Sequence, residues 1–373
     1  MFFKKKRPQI KAEPPIGTEA EIAASPETPT LPQVAPEGEA LFGDSGCSLG
    51  QGIKAFRFGS EASGVVGTDA AMGKTPNEDA ALVVPRSSFA AVFDGVGGMG
   101  GGDRVVRLLA EGFLRFPENF HRALETARDR FNSFPFEESL KLFGSGSCFY
   151  STRLVRNGDR RYLELCQSGD CRLLIFRAGG EILQSEDESY VNDMVKRGLI
   201  NGDEALFSSF RGRVNRCIYL GREEAVTVNP LLSMNGKRLE SRGPVEVFKG
   251  DRVVLMSDGI ADNLTAGEVH RLIAGTSPTE AALALTAETD RRMKHKNHII
   301  DETLRAYLAE SEQIEDERIL AKMMAKIRQP EGNYQWLAPF IFEKARIHAG
   351  VFSDGYKTKP SRDNRALIIF DLL

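Results

Sequence analysis

Four acidic residues lie where an apolar stretch of the sequence ends or begins, namely Asp79, Asp94, Asp258 and Asp363. The apolar stretches predict strands, and strands anchored in a core hold their ends rigidly, so carboxylates placed there can converge on one point. Converging carboxylates repel one another and shift each other's pKa values unless divalent cations lie between them. Because carboxylate oxygens select hard ions, the pattern predicts a site for Mg²⁺ or Mn²⁺.

The chemistry that such a site supports is hydrolysis of a phosphate ester. Two ions about 3.5–4 Å apart can share a carboxylate and a water, lower the pKa of that water and stabilise a phosphoryl group under in-line attack. Gly95 follows Asp94 directly and would let the backbone approach an ion, with its carbonyl as a further ligand. Each Asp-Gly pair alone is usually only a turn, so the prediction depends on the combination of acids.

A glycine-rich run after Asp94 indicates a rival chemistry. The run Gly95-Val-Gly-Gly-Met-Gly100 matches G-x-G-x-x-G between a predicted strand and a predicted helix, as in dinucleotide-binding sites. However, Asp94 and Asp103 flank the loop and would repel a pyrophosphate. No acid-ending strand follows about 20 residues later, and strands do not alternate with helices. A P-loop is excluded because no Gly-Lys-Ser/Thr follows. Nucleotide binding is therefore the weaker interpretation.

Composition narrows the functional classes. The chain has 373 residues and a net charge of −3, so no overall basic field indicates nucleic acid as a partner. No apolar run approaches the roughly 18 residues of a transmembrane helix. The basic start, 1–7, lacks the apolar stretch of a secretory signal. Five cysteines without a C-x-x-C pair fit reduced thiols. We therefore expect a cytoplasmic protein.

The chain divides into a polar tail and one large domain. Residues 1–45 hold seven of the seventeen prolines and few large apolar residues, which predicts that 1–50 is a disordered tail. Residues 51–373 then form the domain. From about 263 to 360 the pattern is almost wholly helical, which predicts a helical insert before the last strand.

Hairpins joined by short turns, with helices in separate blocks, favour an α+β fold with antiparallel sheets. Ala80–Val84 and Phe89–Phe93 are expected to form one hairpin, and Val245–Phe248 and Arg252–Ser257 another. The expected helices include one from Asp103 to Phe116 with Asp103 as its N-cap. In the insert, the spacing predicts four separate helices. Their ranges are Ala266–Gly275, Thr279–His295, Ile299–Ala309 and Asp316–Ile327. Arg365–Leu372 is predicted to be the final strand.

Several motifs occur in order along the chain. They are Lys74-Thr-Pro-Asn-Glu-Asp79, Ala91-Val-Phe-Asp94-Gly-Val-Gly-Gly98, Gly144-Ser-Gly-Ser-Cys148, Ser168-Gly-Asp170-Cys-Arg172, Asp187-Glu-Ser-Tyr-Val191, Val214-Asn215 through Leu220-Gly221, Gly250-Asp-Arg-Val-Val-Leu-Met-Ser-Asp258-Gly-Ile-Ala-Asp262 and Asp363-Asn364. In this order the sequence resembles the metal-dependent protein phosphatases of the PPM (type 2C) family, particularly its bacterial branch.

The resemblance implies a four-layer α-β-β-α sandwich, with metals held between two antiparallel sheets. It implies that a water activated by two Mn²⁺ or Mg²⁺ ions hydrolyses phosphoserine and phosphothreonine in phosphoprotein substrates. By position, Asp94 would bridge both ions, and Asp258 and Asp363 would bind one of them. The Gly95 carbonyl would bind the other. The resemblance also implies that Glu78 or Asp79 binds beside Gly95, directly or through water, that Asp170 belongs to a third, weaker metal site, and that Lys74 binds the substrate phosphate.

Three departures from the family pattern concern catalysis rather than metal binding. Lys74 stands where the family has an arginine, so it would bind phosphate as a point charge without the bidentate fork. Val96 and Met99 occupy the place of a histidine that is a candidate acid, and Glu188 stands where a histidine is common. These departures support an alternative, a catalytically weak PPM-fold domain that binds or senses a protein partner through its helical insert.

Overall fold

The computed structural model describes residues 40–42, 53–69, 77–96, 101–200, 212–221, 226–240, 243–311 and 363–373, of which 40–42 and 295–311 are described by their backbone alone. The strands are β1 Ala40–Phe42, β2 Lys54–Phe58, β3 Ala62–Asp69, β4 Asp79–Val84, β5 Phe89–Val96, β6 Gly146–Asn157, β7 Arg160–Ser168, β8 Arg172–Phe176, β9 Ile182–Ser185, β10 Thr227–Val228, β11 Leu232–Met234, β12 Lys237–Arg238, β13 Val245–Val247, β14 Arg252–Met256 and β15 Arg365–Leu372. The helices are α1 Gly102–Arg115, α2 Phe120–Asn132, α3 Phe136–Lys141, α4 Tyr190–Lys196, α5 Asp258–Ala261, α6 Ala266–Ile273 and α7 Pro278–Ser311.

Two antiparallel sheets stack face to face. The first has the order β1-β4-β5-β6-β7-β10 with β13 also paired to β7, and the second has the order β12-β11-β9-β8-β14-β15-β3-β2. Helices α1 and α2 cover the outer face of the first sheet, and α5, α6 and the start of α7 cover that of the second. The predicted four-layer α-β-β-α sandwich is confirmed. Every strand pairing in the described residues is antiparallel, which excludes a doubly wound dinucleotide-binding fold there.

The near-continuous apolar character of the strands follows from this layering, because each sheet is covered on both faces. Along β4, Ala81 and Val83 enter the core between the sheets, whereas Leu82 and Val84 pack beneath the helices. Side chains of a strand alternate between its two faces, so neither face of β4 meets water. The same alternation sets which way the acidic residue at each strand end points.

The predicted hairpin of β4 and β5 is confirmed. The strands pair from Val84 with Phe89 to Asp79 with Asp94. The connection is a short 3-10 turn that begins at Pro85 and ends at Ser88, whose φ of 49° is left-handed. Proline fixes the first φ of such a turn, so the signal for this hairpin is contained within a few residues.

The second predicted hairpin is wrong. Strand β13 pairs with β7 in the first sheet, whereas β14 pairs with β8 and β15 in the second. The turn at Lys249-Gly-Asp251 therefore carries the chain from one sheet to the other. Gly250 has a φ of 87°, and Asp251 Oδ2 accepts a hydrogen bond of 2.9 Å from the Phe248 amide. The predicted turn is present, but a turn sequence indicates only a local bend and does not determine which strand the following segment pairs with.

Two expectations about helices are also corrected. Pro278–Ser311 is one helix, where two were predicted, because no proline or glycine interrupts the intervening residues. Helix α1 begins at Gly102 with Gly101 as its N-cap, so Asp103 lies in the first turn and is not the cap. There its carboxylate still complements the positive end of the helix dipole. The predicted helix 316–327 lies outside the described residues.

Some domain-level expectations fall largely outside the described residues. Of the predicted tail 1–50, only 40–42 is described, and it forms β1, an edge strand paired with β4. Of the predicted insert 263–360, the described part to residue 311 contains α6 and α7. Within the described part of the chain, no helix is both long enough and apolar enough to cross a bilayer.

Candidate metal centre

Asp79 and Asp94 face each other at the open end of the β4–β5 hairpin. They are directly paired across the two strands, as are Ala81 and Val92, which lie in the core between the sheets. Because residues two apart point to the same face, both carboxylates are directed towards the space between the sheets. Directly opposed side chains have Cβ atoms about 4.5–5.5 Å apart, and like charges in that position are destabilising. The first sheet thus supplies two repelling carboxylates.

The second sheet brings Asp258 and Asp363 to neighbouring strand ends. The Ser257 amide donates to the Ala366 carbonyl at 3.1 Å, and the Ala366 amide donates to Ser257 Oγ at 2.9 Å, which extends the β14–β15 pairing past Met256. At Gly259 a Cβ atom would lie 2.0 Å from the Asn364 carbonyl oxygen. The residue after Asp258 and the residue after Asp363 are therefore in direct contact.

Glycines let the backbone close tightly around Glu78. The Gly95 amide donates to the Glu78 carbonyl at 3.0 Å, and a Cβ on Gly95 would lie 2.6 Å from that same oxygen. A Cβ on Gly102 would lie 3.0 Å from Glu78 Oε1. Glu78 is therefore held between the end of β5 and the first turn of α1. Gly95 and Gly102 are required by the close approach of Glu78, whereas the predicted approach of the backbone to an ion and substrate remains a prediction.

Asp170 lies in the turn between β7 and β8, and Glu188 holds that turn. Gly169, with a φ of 96°, donates from its amide to Glu188 Oε2 at 3.1 Å, and the Glu188 amide donates to the Gly169 carbonyl at 2.9 Å. Glu188 Oε1 also accepts from Thr227 Oγ1 at 2.6 Å and from Arg216 at 3.2 Å. Glu188 is thus a structural anchor for the Asp170 turn.

The five aspartates act on one another electrostatically. Burial raises the pKa of Asp94 well above its usual range, and the charges of Asp258, Asp79, Asp363 and Asp170, in decreasing order, raise it further. The buried thiol of Cys171 has a raised pKa for the same reasons, first burial and then the charge of Asp94. The structure therefore brings four carboxylates from separate segments to Asp94, and the cluster includes all four acids predicted from the apolar stretches.

Arg172, a neighbouring cation, is already engaged elsewhere. Its guanidinium pairs with Asp187, with Nη2 to Oδ2 at 2.5 Å, and donates to the Ala261 carbonyl at 2.7 Å. Burial opposes its charge, but Asp187, Asp170 and Asp258 together keep the pKa of Arg172 above its usual value. The Gly-Asp-Cys-Arg motif contained this arginine, yet nothing in the sequence marked Asp187 as its partner. The pair lines a polar cavity of about 360 Å³ that also reaches Asp170 and Asp262.

The residues present suit hard divalent cations by their chemistry, since carboxylates and backbone carbonyls are the donors these ions prefer. The mutual repulsion recorded in the pKa of Asp94 is the charge that such ions would neutralise. Among the described residues, however, no three histidine, cysteine, aspartate or glutamate side chains form a closed set of ligands. The case for divalent cations at this site therefore depends on the type, the placement and the charge of the donor groups.

Two predicted site residues, Lys74 and Met99, lie outside the described residues. Val96 is partly buried and packs against the core between the sheets, so the position where the family has a candidate acid is here part of that core. Cys148, which sequence analysis did not connect with the site, pairs directly with Asp94 across β5 and β6. No local signal could have placed it there, because 54 residues separate the two positions.

Comparison with solved structures identifies the architecture. No family model and no curated protein matches the sequence. The Mycobacterium tuberculosis serine/threonine phosphatase PstP/Ppp matches with a TM-score of 0.53 and 18% identity over 84% of this chain and 99% of that one. The chain has the PPM phosphatase fold.

Two further structures with the PPM fold have similar scores. The catalytic domain of PstP in complex with two manganese ions matches with a TM-score of 0.52 and 17% identity, over 84% of this chain and 99% of that one. PppA, a regulatory component of the type VI secretion system (T6SS) in Pseudomonas aeruginosa, matches with a TM-score of 0.51 and 17% identity over the same shares. At such identities the likeness concerns the PPM fold, and activity has to be argued from the site.

Proposed function

We propose that this protein is a metal-dependent phosphatase that hydrolyses phosphoserine and phosphothreonine in proteins. The observation that carries the proposal is the gathering of four aspartates around Asp94 between two antiparallel sheets. The PPM fold adds support, because the solved structures that share it include named serine/threonine phosphatases, one of them with two manganese ions. Five mutually repelling carboxylates serve no packing purpose, whereas they would serve to bind cations.

The residues that would hold two Mn²⁺ or Mg²⁺ ions are those that the resemblance implies. Asp94 would contact both ions. Asp258 and Asp363, whose neighbours touch across β14 and β15, would share one ion, and the Gly95 carbonyl with Glu78 or Asp79 would serve the other. Asp170, two residues before Arg172, would bind a third ion. When bound, such ions supply Lewis-acid chemistry to a water and a phosphoryl group.

The chain itself contributes orientation and exclusion of water. The strands beneath Asp79, Asp94 and Asp363 are buried on both faces, so their ends are fixed before any ligand arrives. Lys74 would bind the substrate phosphate as a point charge. Because the valine side chain at position 96 has no proton to donate, the proton for the leaving alkoxide has to come from another group, which favours slow turnover.

The proposal is tested by hydrolysis of p-nitrophenyl phosphate and of a phosphothreonine peptide by the metal-stripped full chain, with and without added Mn²⁺. We expect Mn²⁺-dependent release of phosphate by wild type, loss of it in Asp258→Ala, and retention in Asp159→Ala. Asp159 is a suitable control because it is an exposed aspartate in the turn between β6 and β7. Equal rates in wild type and Asp258→Ala, or no Mn²⁺-dependent rate in either, would reject a phosphatase.

A second candidate function is a catalytically weak domain that binds phosphoproteins or a protein partner through the helical insert. The observation that favours it is the apolar packing of Val96. The same experiment separates the two functions if peptide binding is measured alongside turnover. Tight binding of the phosphopeptide with a rate no higher than that of Asp258→Ala would support the binding domain over the enzyme.

A further inference from the structure

A buried arginine lies two residues after the candidate metal ligand Asp363. The side chain of Arg365 is 3% exposed, and it forms a two-pronged ion pair with Asp69, Nε to Oδ1 at 2.7 Å and Nη2 to Oδ2 at 2.5 Å. Its remaining nitrogen, Nη1, donates to Asp290 Oδ1 at 2.7 Å and to the Thr286 carbonyl at 3.2 Å. The Arg365 guanidinium therefore joins three segments, namely β15, which carries it, and its partners in β3 and α7.

Each of these segments leads to the candidate site. Asp69 is the last residue of β3, and the chain continues from it to Lys74, the predicted phosphate-binding residue. Arg365 itself opens β15 immediately after Asp363 and Asn364. Asp290 belongs to α7, the long helix of the insert. Arg365 thus joins the insert to the strand start that carries a candidate metal ligand.

Helix α7 also contacts the segment that follows Asp258, through Arg292. This arginine pairs with Glu268, Nη2 to Oε1 at 2.6 Å, and donates to the Asn263 carbonyl at 2.9 Å. Asn263 in turn donates to the carbonyl of Gly259, the residue after Asp258, at 2.8 Å. One stretch of α7, residues 286–292, therefore contacts both the Arg365 side chain, two residues after Asp363, and the Asn263 carbonyl, in the segment that follows Asp258.

We propose that Arg365 is a positioning residue through which helix α7 of the insert sets the place of Asp363 and thereby the affinity of the site for divalent metal. The proposal rests on the proposed function, because it assumes that Asp363 is a metal ligand. The physical reason is that a guanidinium held by partners on two sides cannot rotate. If Asp290 is replaced by asparagine, Arg365 keeps Asp69 and the Thr286 carbonyl but loses its charged partner on α7, so the start of β15 is held less firmly and Asp363 is positioned less well for a cation.

The same strand provides a matched control. At the far end of β15, Asp371 forms a two-pronged ion pair with Arg252, at 2.6 and 2.8 Å, and Arg252 also donates to the carbonyls of Ile273 and Thr276. The side chain of Asp371 is 29% exposed and that of Asp290 is 37% exposed. The two carboxylates are thus similar in exposure and each pairs with an arginine of the second sheet, but only Asp290 pairs with an arginine two residues from Asp363.

The experiment compares the wild type, Asp290→Asn, Asp290→Glu and Asp371→Asn as metal-stripped full-length proteins. Mn²⁺ affinity is measured by isothermal titration calorimetry, stability by thermal unfolding in EDTA, and kcat and KM with a phosphothreonine peptide. Asp290 is substituted instead of Arg365 because Arg365 then keeps Asp69, so the variant is expected to fold. We expect Asp290→Asn to bind Mn²⁺ about tenfold more weakly, as is typical when a group supporting a ligand is lost. Asp290→Glu should retain most of the affinity, and Asp371→Asn all of it.

The outcomes separate the inference from the proposed function. Equal Mn²⁺ affinity in Asp290→Asn and Asp371→Asn, with wild type active, would overturn the positioning role alone. A wild type that binds Mn²⁺ without hydrolysing the peptide would overturn the enzyme, while the affinities of the variants would still decide the role of Arg365. A wild type that binds no Mn²⁺ would overturn both. A loss of affinity in Asp290→Asn that tracks an equal loss in Asp371→Asn would show general destabilisation and reject the coupling.

Discussion

Asp79 and Asp94 are paired directly across two antiparallel strands, with both carboxylates directed between the sheets. Hairpins normally avoid opposed like charges, because the repulsion destabilises the pairing. Here the apolar pairs Ala81 with Val92 and Val83 with Ala90 continue the same face, so the hairpin has enough burial to hold the two acids together. The hairpin thus gives up some stability and forms a site of high negative potential at its open end.

Replacing the central acid should separate stability from function. Asp94→Asn removes the charge on which the other four aspartates act, so the metal-free variant should unfold at a higher temperature than wild type in EDTA. The same variant should lose Mn²⁺-dependent phosphatase activity by more than about 100-fold, since loss of a supporting group alone can reach that range. Thermal unfolding and p-nitrophenyl phosphate hydrolysis measure the two effects, with Asp159→Asn as control. Lower stability in EDTA would contradict the interpretation.

The raised pKa of Asp94 predicts how pH acts on the metal-free and the metal-bound protein. A carboxyl group whose pKa is higher folded than unfolded binds more protons in the folded state, so its contribution to stability is greatest below its ordinary pKa of 3.8 and is lost as pH rises through the folded value. In EDTA, wild type should therefore lose stability over this window relative to Asp94→Asn.

With Mn²⁺ the pH dependence should be opposite in sign, because the ion must displace the proton. Affinity should rise with pH through the raised pKa of Asp94, and calorimetry in buffers of different ionisation enthalpy should detect proton release on binding. An affinity that is independent of pH across this window would argue against Asp94 as a ligand.

Gly259 should tolerate no side chain. A Cβ there would lie 2.0 Å from the Asn364 carbonyl oxygen, so Gly259→Ala must push apart the segments that carry Asp258 and Asp363. We expect a loss of about 1–3 kcal/mol in the free energy of unfolding, as is typical of overpacking, together with weaker Mn²⁺ binding. Gly267→Ala in α6 is the matched control, because its Cβ would meet nothing nearer than 4.0 Å and alanine favours helix. Denaturant unfolding should show opposite signs for the two variants, and equal stability would contradict the contact.

The departure at Lys74 predicts an improvement. Lys74→Arg would add a second hydrogen bond to the substrate phosphate, which should lower KM for a phosphothreonine peptide by about tenfold with little change in kcat. Lys249→Arg, in the exposed turn before β14, controls for the substitution itself. An unchanged KM in Lys74→Arg would show that residue 74 does not contact the phosphate.

The parts of the fold that sequence analysis predicted are those encoded locally. The β4–β5 hairpin and the final strand were correct because a few residues define each of them. The pairing of β13 and β14 was wrong because their partners are distant, and the turn between them does not specify those partners. The Arg365–Asp69 ion pair joins positions 296 residues apart, and no feature of the local sequence marks either residue.

The candidate site, like the fold, was predictable from the sequence only where the signal is local. The acids themselves were recognisable because each follows or precedes an apolar stretch and several are followed by glycine. What holds them in place was not recognisable, since Glu188 beneath the Asp170 turn, Cys148 beside Asp94 and Arg365 behind Asp363 are brought there by tertiary packing alone. Residue type and spacing can predict which side chains could act as ligands, whereas the contacts that hold those side chains in place depend on the assembled sheets.

Strand β15 occupies the middle of the second sheet, between β14 and β3, although it is the latest strand along the chain. During synthesis, β14 and β3 therefore lack their common neighbour until residue 372 has left the ribosome. Asp363 and Arg365 arrive with the same segment, so the gap in the sheet and the gap in the acidic cluster are filled in one event. A nascent or proteolytically shortened chain lacking this segment would have two uncovered strand edges and would lack Asp363, so the acidic cluster is complete only when the second sheet is complete.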